Sequence, residues 1–183
     1  MSQDVQTGIV AGTWNIDLSH SEAGFTVRHL MSKVRGSFTD FSGVITTADN
    51  ILDSSVEVTI KSGSITTNNE QRDAHLRSAD FFDPAKGGEL RFVSTKITEA
   101  ADGGYVITGD LTINGITKTV DLAAEFLGIG SDPWGQTKLG AEATTSINRK
   151  DFNVNWNQVL EGGTFLVGEK VDITLAIQAT KAA

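Results

Sequence analysis

Apolar and polar residues alternate with a period of two along much of this 183-residue chain. In the clearest stretch, residues 105–113, Tyr, Ile and Leu occupy odd-numbered positions, whereas Thr and Asp occupy the even-numbered positions from 108 to 112. Successive side chains of a β-strand point to opposite faces of the sheet, so this pattern predicts a strand. Asn114-Gly115 follows at once and favours a type I′ turn, because both central positions of that turn need positive φ. The return strand is predicted from Val120 to Phe126.

The same alternation recurs before and after this hairpin and predicts about eight strands in total. The last keeps its period for about 15 residues, which corresponds to about 50 Å of extended chain. Consecutive strands joined by short turns favour an up-and-down barrel, because closure removes the exposed edges of the sheet. We therefore expect an all-β fold, an elongated antiparallel eight-stranded barrel. The other strands are predicted to begin near Trp14, Phe25, Val34, Val56, Leu90, Leu139 and Phe165.

One segment lacks the period of two and predicts a single short helix near residues 69–79. Asn68 or Asn69 is suited to cap its first turn. Two adjacent aromatic residues, Phe81 and Phe82, follow the helix before Pro84. We expect the helix and these aromatics to lie across one end of the barrel.

Composition narrows the classes of partner and cofactor. The formal net charge of −8 disfavours a nucleic-acid partner, because phosphate backbones are repelled. The chain contains no cysteine, which excludes disulfides and thiolate metal sites. No run reaches the about 18 apolar residues of a membrane span. Residues 1–183 are expected to form one domain, with 1–11 as a flexible N-terminal extension.

The sequence offers little for catalysis. Three dispersed histidines, His20, His29 and His75, form no HExxH pair, so neither a metal site nor a cofactor is expected. A GxSxG nucleophile turn and a GxGxxG dinucleotide loop in a βαβ setting are both absent from the sequence. We therefore expect no enzyme and no catalytic residues.

A barrel of about eight strands either fills its interior with side chains or holds one ligand. Several inward positions carry small or medium residues, which would leave space. The alternative is that aromatic residues of the helix and loops fill this space. The positions concerned are Val27, Val58, Gly109, Ala124, Ala141 and Ala143.

A set of ordered motifs resembles the YceI-like family of lipocalin-like polyisoprenoid-binding proteins. The likeness covers nearly the whole chain after Gly12. The segments that carry it are 14–21 (WNIDLSHS), 25–30 (FTVRHL), 34–38 (VRGSF), 72–83 (RDAHLRSADFFD), 90–94 (LRFVS), 111–118 (LTINGITK) and 148–152 (NRKDF).

This resemblance implies a barrel whose apolar tunnel takes a long-chain isoprenoid, a quinone-like molecule or a fatty amphiphile, for binding, storage or transport. Leu30 breaks the parity of its strand, so it can contribute only where the strand ends or bulges. The ligand-binding residues implied by the matching segments are Phe25, Val27, His29, Leu30, Leu76, Phe81, Phe82, Phe92 and Leu111.

The polar head of such a ligand is expected to meet His20, His29, Arg72 or Asp73 near the tunnel mouth. The segment from Asn69 to Pro84 is expected to gate that mouth, with a permanent plug as the alternative. Two other functions stay open: an enzyme acting on such a lipid, and a stress-related interaction module with a plugged barrel. A homodimer is also open.

The compartment is an expectation drawn from the start of the chain. The first ten residues lack the basic segment and apolar run of a secretory signal peptide, so a cytoplasmic location is expected. Several members of the family are exported to the periplasm. A periplasmic or secreted location is therefore the alternative, if a signal peptide was removed.

Overall fold

A computed structural model describes residues 9–78, 81–82, 88–154, 157 and 167–182. In these residues eleven strands form one sheet, accompanied by a single α-helix, α1 (Glu70–Leu76). The strands are β1 (Gly12–Ile16), β2 (Glu22–His29), β3 (Ser32–Phe38), β4 (Phe41–Thr47), β5 (Ser55–Lys61), β6 (Ile65–Thr66), β7 (Glu89–Glu99), β8 (Tyr105–Ile113), β9 (Ile116–Ser131), β10 (Thr137–Asn148) and β11 (Val167–Lys181).

The sheet closes into an antiparallel barrel of eight strands, as predicted. The order β1-β4-β5-β7-β8-β9-β10-β11 ends where β11 pairs with β1. The three remaining strands continue this barrel, because β2 pairs with both β11 and β3, and β3 pairs with β6. Three of the eight barrel strands are therefore interrupted once along their length. Their two parts are β1 and β2, β3 and β4, and β5 and β6.

The two ends of the barrel differ in their connections. At the turn end, short loops join β4 to β5, β7 to β8 and β9 to β10. At the helix end lie the β2–β3 turn, α1, the β8–β9 turn and the 3-10 turn Arg149–Phe152. The β8–β9 turn has Asn114 at φ 53° and Gly115 at φ 75°, as the type I′ prediction requires.

A compact cluster of side chains fills the turn end. Trp14 and Ala179 are fully buried, and Leu139 is almost so. The indole Nε1 of Trp14 donates a hydrogen bond of 2.9 Å to Thr47 Oγ1, so the ring is held in place by a polar contact as well as by packing. This cluster shuts the barrel at the end opposite α1.

A second cluster packs the helix end. It consists of Phe38, Ile65, Phe81, Leu90, Ile113, Phe152 and Val154, with Leu76 of α1 and Phe82 packed against it. Phe82 meets Phe38 edge to face, at 5.9 Å between ring centroids. The expectation that the helix and the two aromatics lie across one end of the barrel therefore agrees with the structure.

The predicted end of the helix needs correction, and the structure decides between the two candidate N-caps. The helix ends at Leu76 rather than at residue 79, because Arg77 caps it by donating its backbone N–H to Asp73 and His75 carbonyls. Asn69, not Asn68, is the N-cap, and its Oδ1 accepts the Arg72 N–H at 3.0 Å. In the N-terminal extension, Val10 is tied to the barrel through a 2.5 Å hydrogen bond from Thr47. Residues 1–8, Ala79, Pro84 and Phe165 lie outside the described residues.

Polar contacts hold the seam where β1 passes into β2. Asp17 Oδ1 accepts from Ser19 Oγ at 2.7 Å, and Asp17 Oδ2 accepts from Lys138 Nζ of β10 at 3.1 Å. His20 Nδ1 lies 2.9 Å from the same Oδ2. Hydrogen bonds from Ser19 and His20, together with Lys138, hold the pKa of Asp17 far below its ordinary value of 3.8. The ionised carboxylate therefore stabilises the closed barrel.

Asp17→Asn is expected to lower the free energy of unfolding by about 1.5–3 kcal/mol at neutral pH, the range for hydrogen bonds to a charged group. Because the folded-state pKa is lowered, this stabilisation is fully present above pH 3.8 and is lost as pH falls through the folded value. Urea unfolding of wild type and variant from pH 7 to pH 2 measures it. A difference that stays constant over that range would contradict the prediction.

Candidate functional site

A cavity of about 570 Å³ occupies the barrel between the two packed clusters. Its wall is almost entirely apolar and comes from the inward face of the strands. Side chains at mid-barrel are only partly buried, since they face this space rather than one another. Examples are Phe25 and Val27 of β2, Ile107 of β8, and Ile173 and Leu175 of β11.

Small residues create the space, as the sequence suggested, with one exception. Ala124 of β9 lies directly opposite Ala143 of β10, which in turn lies opposite Leu175 of β11, and all three line the cavity. Gly109 is the exception, because the Phe92 ring occupies the volume beside it. A Cβ added at Gly109 would lie 2.5 Å from the ring. The space at each position of the cavity wall therefore depends on the side chains of the neighbouring strand as well as on the size of the residue itself.

The cavity opens towards the surface at the helix end. Three of its lining residues are exposed: Asn69 and Gln71 lie at or beside the start of α1, and Glu142 lies on β10. β6 pairs with β3 only at Ser37 and Phe38, so no described strand covers the edge of β3 from Ser32 to Gly36. The mouth thus lies between the β2–β3 hairpin and α1.

Polar side chains surround this mouth. We call them the polar collar: His29, Thr67, Asn69, Gln71, Arg72 and His75. The guanidinium of Arg72 donates from Nε to Thr67 Oγ1 at 2.6 Å and from Nη2 to the Thr67 carbonyl at 2.8 Å. Arg72 is therefore held against the segment before α1, with part of its surface towards the cavity.

A buried cation supports the same end of the barrel. Arg149 is 4% exposed and donates to the carbonyls of Gly168 at 2.8 Å and Val154 at 2.6 Å. Burial lowers the pKa of its guanidinium, an effect that the charge of Glu169 opposes. Arg149 lines the cavity and ties the turn after β10 to the start of β11.

Most of the sequence-predicted residues meet at this cavity. Whether they contact a ligand stays a prediction. Those that line the cavity are Phe25, Val27, His29, Leu76, Phe81, Phe82, Phe92, Leu111 and Arg72.

Three of the predicted site residues lie elsewhere. The strand does end at His29, but Leu30 then lies in the β2–β3 turn, where it is 49% exposed and does not line the cavity. The His20 side chain is exposed at the Asp17 seam, away from the mouth. Asp73 is buried and accepts hydrogen bonds from the Thr67 N–H and hydroxyl at 2.8 and 2.5 Å. Burial opposes ionisation, but these bonds and Arg77 lower the pKa of Asp73, which fixes the start of α1.

Sequence reasoning missed His75, Arg149 and Phe152 as cavity residues. His75 lies three residues after Arg72 on α1, a spacing that places both on one helix face. That spacing was the available signal. Arg149 and Phe152 lie in a 3-10 turn, where no periodicity identifies the inward side.

A single side chain links three elements of the helix end. Asn114 Nδ2 donates to the Phe81 carbonyl at 2.8 Å and to the Phe152 carbonyl at 3.3 Å. The β8–β9 turn therefore holds both the aromatic segment after α1 and the turn after β10. We call α1 together with Phe81–Phe82 the lid.

No group of three or more His, Asp or Glu in the described residues could hold a metal ion. Within the same residues, no helix is long and apolar enough to cross a membrane.

An antiparallel barrel with an internal apolar cavity and a polar mouth places this protein in the class of lipocalin-like barrels, whose interior can hold one ligand. A family model of the YceI-like domain matches residues 14–179, and the chain belongs to the YceI-like family. A UPF0312 protein of Photorhabdus laumondii is 45% identical over 148 residues, covering 79% of this chain and 77% of the relative.

Solved structures share the fold. The crystal structure of a Campylobacter jejuni YCEI protein has a TM-score of 0.72 and 30% identity, covering 85% of this chain and 90% of that one. A polyisoprenoid binding domain from Saccharophagus degradans has a TM-score of 0.67 and covers 94% of this chain and 100% of that one. Its 14% identity shows likeness of fold alone.

Asn114→Gly should loosen the lid while keeping the turn, because glycine accepts positive φ but removes the amide. We expect faster hydrogen exchange at residues 81–82 and 152–154 and a loss of about 1–3 kcal/mol in the free energy of unfolding. Asn68→Gly is the control, since Asn68 also has positive φ, 60°. Equal exchange at residues 81–82 in both variants would show that Asn114 does not hold the lid.

Proposed function

We propose that this protein binds the hydrocarbon chain of a long-chain isoprenoid or a related amphiphilic lipid inside the barrel. The observation that carries the proposal is the apolar cavity of about 570 Å³, packed shut by the Trp14 cluster and opening at the polar collar. This volume falls within the roughly 300–1,000 Å³ of small-molecule sites. One apolar end and one polar mouth suit a molecule with a tail and a head.

The driving force is the removal of the tail from water. Each buried methylene contributes about 0.8 kcal/mol, which corresponds to about fourfold in affinity. Affinity for a series of straight-chain ligands is therefore expected to rise with chain length until the cavity is full. The likeness of fold to the polyisoprenoid binding domain of Saccharophagus degradans supports an isoprenoid as the tail.

The collar supports a polar or anionic head. Arg72 is a fixed cation at the mouth, and His29 and His75 supply further hydrogen-bonding groups. Backbone-held guanidinium groups suit phosphate or carboxylate oxygens. The proposed role is binding, storage or transport without turnover.

Protein purified from its own host tests this role. Native mass spectrometry followed by solvent extraction should recover one intact lipid per chain. Recovery of a lipid and its reaction product would favour the enzyme alternative. Extraction of no lipid would favour the plugged barrel.

Ala143→Phe should block long tails, because the new ring would project into mid-barrel beside Ala124 and Leu175. We expect at least a tenfold loss in affinity for a fluorescent long-chain probe, with about 1–3 kcal/mol of destabilisation from overpacking. Thr144→Phe is the matched control, since Thr144 is exposed on the outer face of the same strand. Undiminished binding by folded Ala143→Phe would show that the tail does not bind at this part of the cavity. Leu111→Trp or Ala141→Trp tests the same wall.

Arg72→Gln should weaken binding of a phosphate-headed isoprenoid by about 10–100-fold while leaving the matching alcohol nearly unchanged. Arg77→Gln is the control, because Arg77 also donates to backbone carbonyls, of Gly63 and Ile65, but does not line the cavity. Isothermal titration with both ligands measures the difference. Equal losses for both ligands would show that Arg72 supports only the fold of the mouth.

A further inference from the structure

The turn between β2 and β3 presents large apolar side chains to solvent. His29 and Ser32 form the last pair of the hairpin, leaving Leu30 and Met31 as its two-residue turn. Leu30 is 49% exposed and Met31 is 100% exposed. We call Arg28 to Arg35 the hairpin tip.

The backbone of this turn is strained for its sequence. Leu30 has φ 55°, a region that bulky residues seldom adopt. The β8–β9 turn of the same barrel places Asn114 and Gly115 at its positive-φ positions. The β2–β3 turn instead has leucine at its positive-φ position, which costs strain, and leaves both Leu30 and Met31 exposed to solvent.

The charges on the hairpin tip are also unfavourable in the isolated chain. Arg28 lies directly opposite Lys33, and like charges in that position destabilise a strand pair. Arg28, Lys33 and Arg35 form no ion pair with any described residue. The pKa of Asp172 of β11 is lowered mainly by its hydrogen bond from Ser146, and the charge of Lys33 adds to this effect. The hairpin tip is therefore locally basic, although the chain carries −8 overall.

We propose that the hairpin tip docks on an anionic lipid bilayer, with Leu30 and Met31 inserted among the headgroups. The features that are unfavourable in water become favourable there. Exposed apolar side chains are buried at the interface, and the clustered cations face lipid phosphates. The strained turn projects both apolar side chains beyond the strands, where they can reach the membrane.

Docking of the hairpin tip would serve the exchange of lipid between membrane and cavity, and this step rests on the proposed function. Val27, His29 and Val34 of the same hairpin line the cavity. A docked hairpin tip would therefore place the mouth at the membrane surface. A lipid tail could then pass between bilayer and barrel without exposure to water. Exposure of each methylene to water would be unfavourable by about 0.8 kcal/mol.

Site-specific labelling tests the proposal directly, because the chain has no cysteine of its own. Met31→Cys and Trp134→Cys are each labelled with an environment-sensitive nitrobenzoxadiazole dye and mixed with phosphatidylcholine vesicles, with or without phosphatidylglycerol. Trp134 is the control, since it is 82% exposed but lies at the turn end, beside Asp132. The dye at position 31 should brighten and shift to the blue with anionic vesicles, while the dye at position 134 should not change.

A double variant isolates the apolar contribution without damaging the hairpin. Leu30→Gly with Met31→Ser places glycine at the one positive-φ position of the turn and a polar residue after it, so the fold should be kept. Vesicle partitioning should fall at least tenfold, whereas Trp134→Ser should leave it unchanged. Lys33→Gln should weaken it roughly fivefold, and added salt should weaken it further.

Three results would overturn the docking proposal. They are undiminished partitioning of the double variant, a dye response at position 134 instead of 31, and a concentration-dependent shift at position 31 without vesicles, which would indicate self-association. Failure of docking with normal lipid binding in detergent solution would refute only this inference. Vesicle docking without lipid uptake would refute only the proposed function.

Discussion

The architecture depends on the hydrogen-bonded closure of β11 onto the first two strands. β11 pairs with β1 near its C-terminus and with β2 along its N-terminal half. Without that closure, β1 and β11 would each present an unpaired edge, and the interior would be open to water. Asp17 lies between β1 and β2, where the strand pairing with β11 is interrupted. Its ion pair and hydrogen bonds therefore stabilise the barrel at this interruption.

Closure also explains why a cavity exists at all. The long strands β9, β10 and β11 extend the barrel so that the clusters at its two ends do not meet. Alanines at mid-barrel leave the intervening volume unfilled. An apolar void forfeits dispersion contacts, so this arrangement is less stable than a filled core. A ligand with a hydrocarbon tail would restore those contacts.

Local signals in the sequence predicted local structure well. Period-two alternation identified the strands, and Asn114-Gly115 identified a turn, since each depends on neighbouring residues only. The errors arose where distant residues decide the outcome. The ring of Phe92 fills the space beside Gly109 through strand pairing, and Thr67 converts Asp73 from a candidate ligand group into an internal acceptor. The family resemblance implies that Leu30 lies at the cavity, but the β2–β3 turn exposes its side chain to solvent.

The two ends of the barrel differ in what must break for each to open. Trp14 and its neighbours pack the turn end, so opening that end would require breaking a buried core. The lid at the helix end is not part of the strand ladder, so its displacement breaks side-chain packing and the two hydrogen bonds of Asn114 but no strand pairing. Local opening follows the weakest contacts. A tail would therefore enter and leave past α1 and the β2–β3 hairpin, with its head remaining at the polar collar.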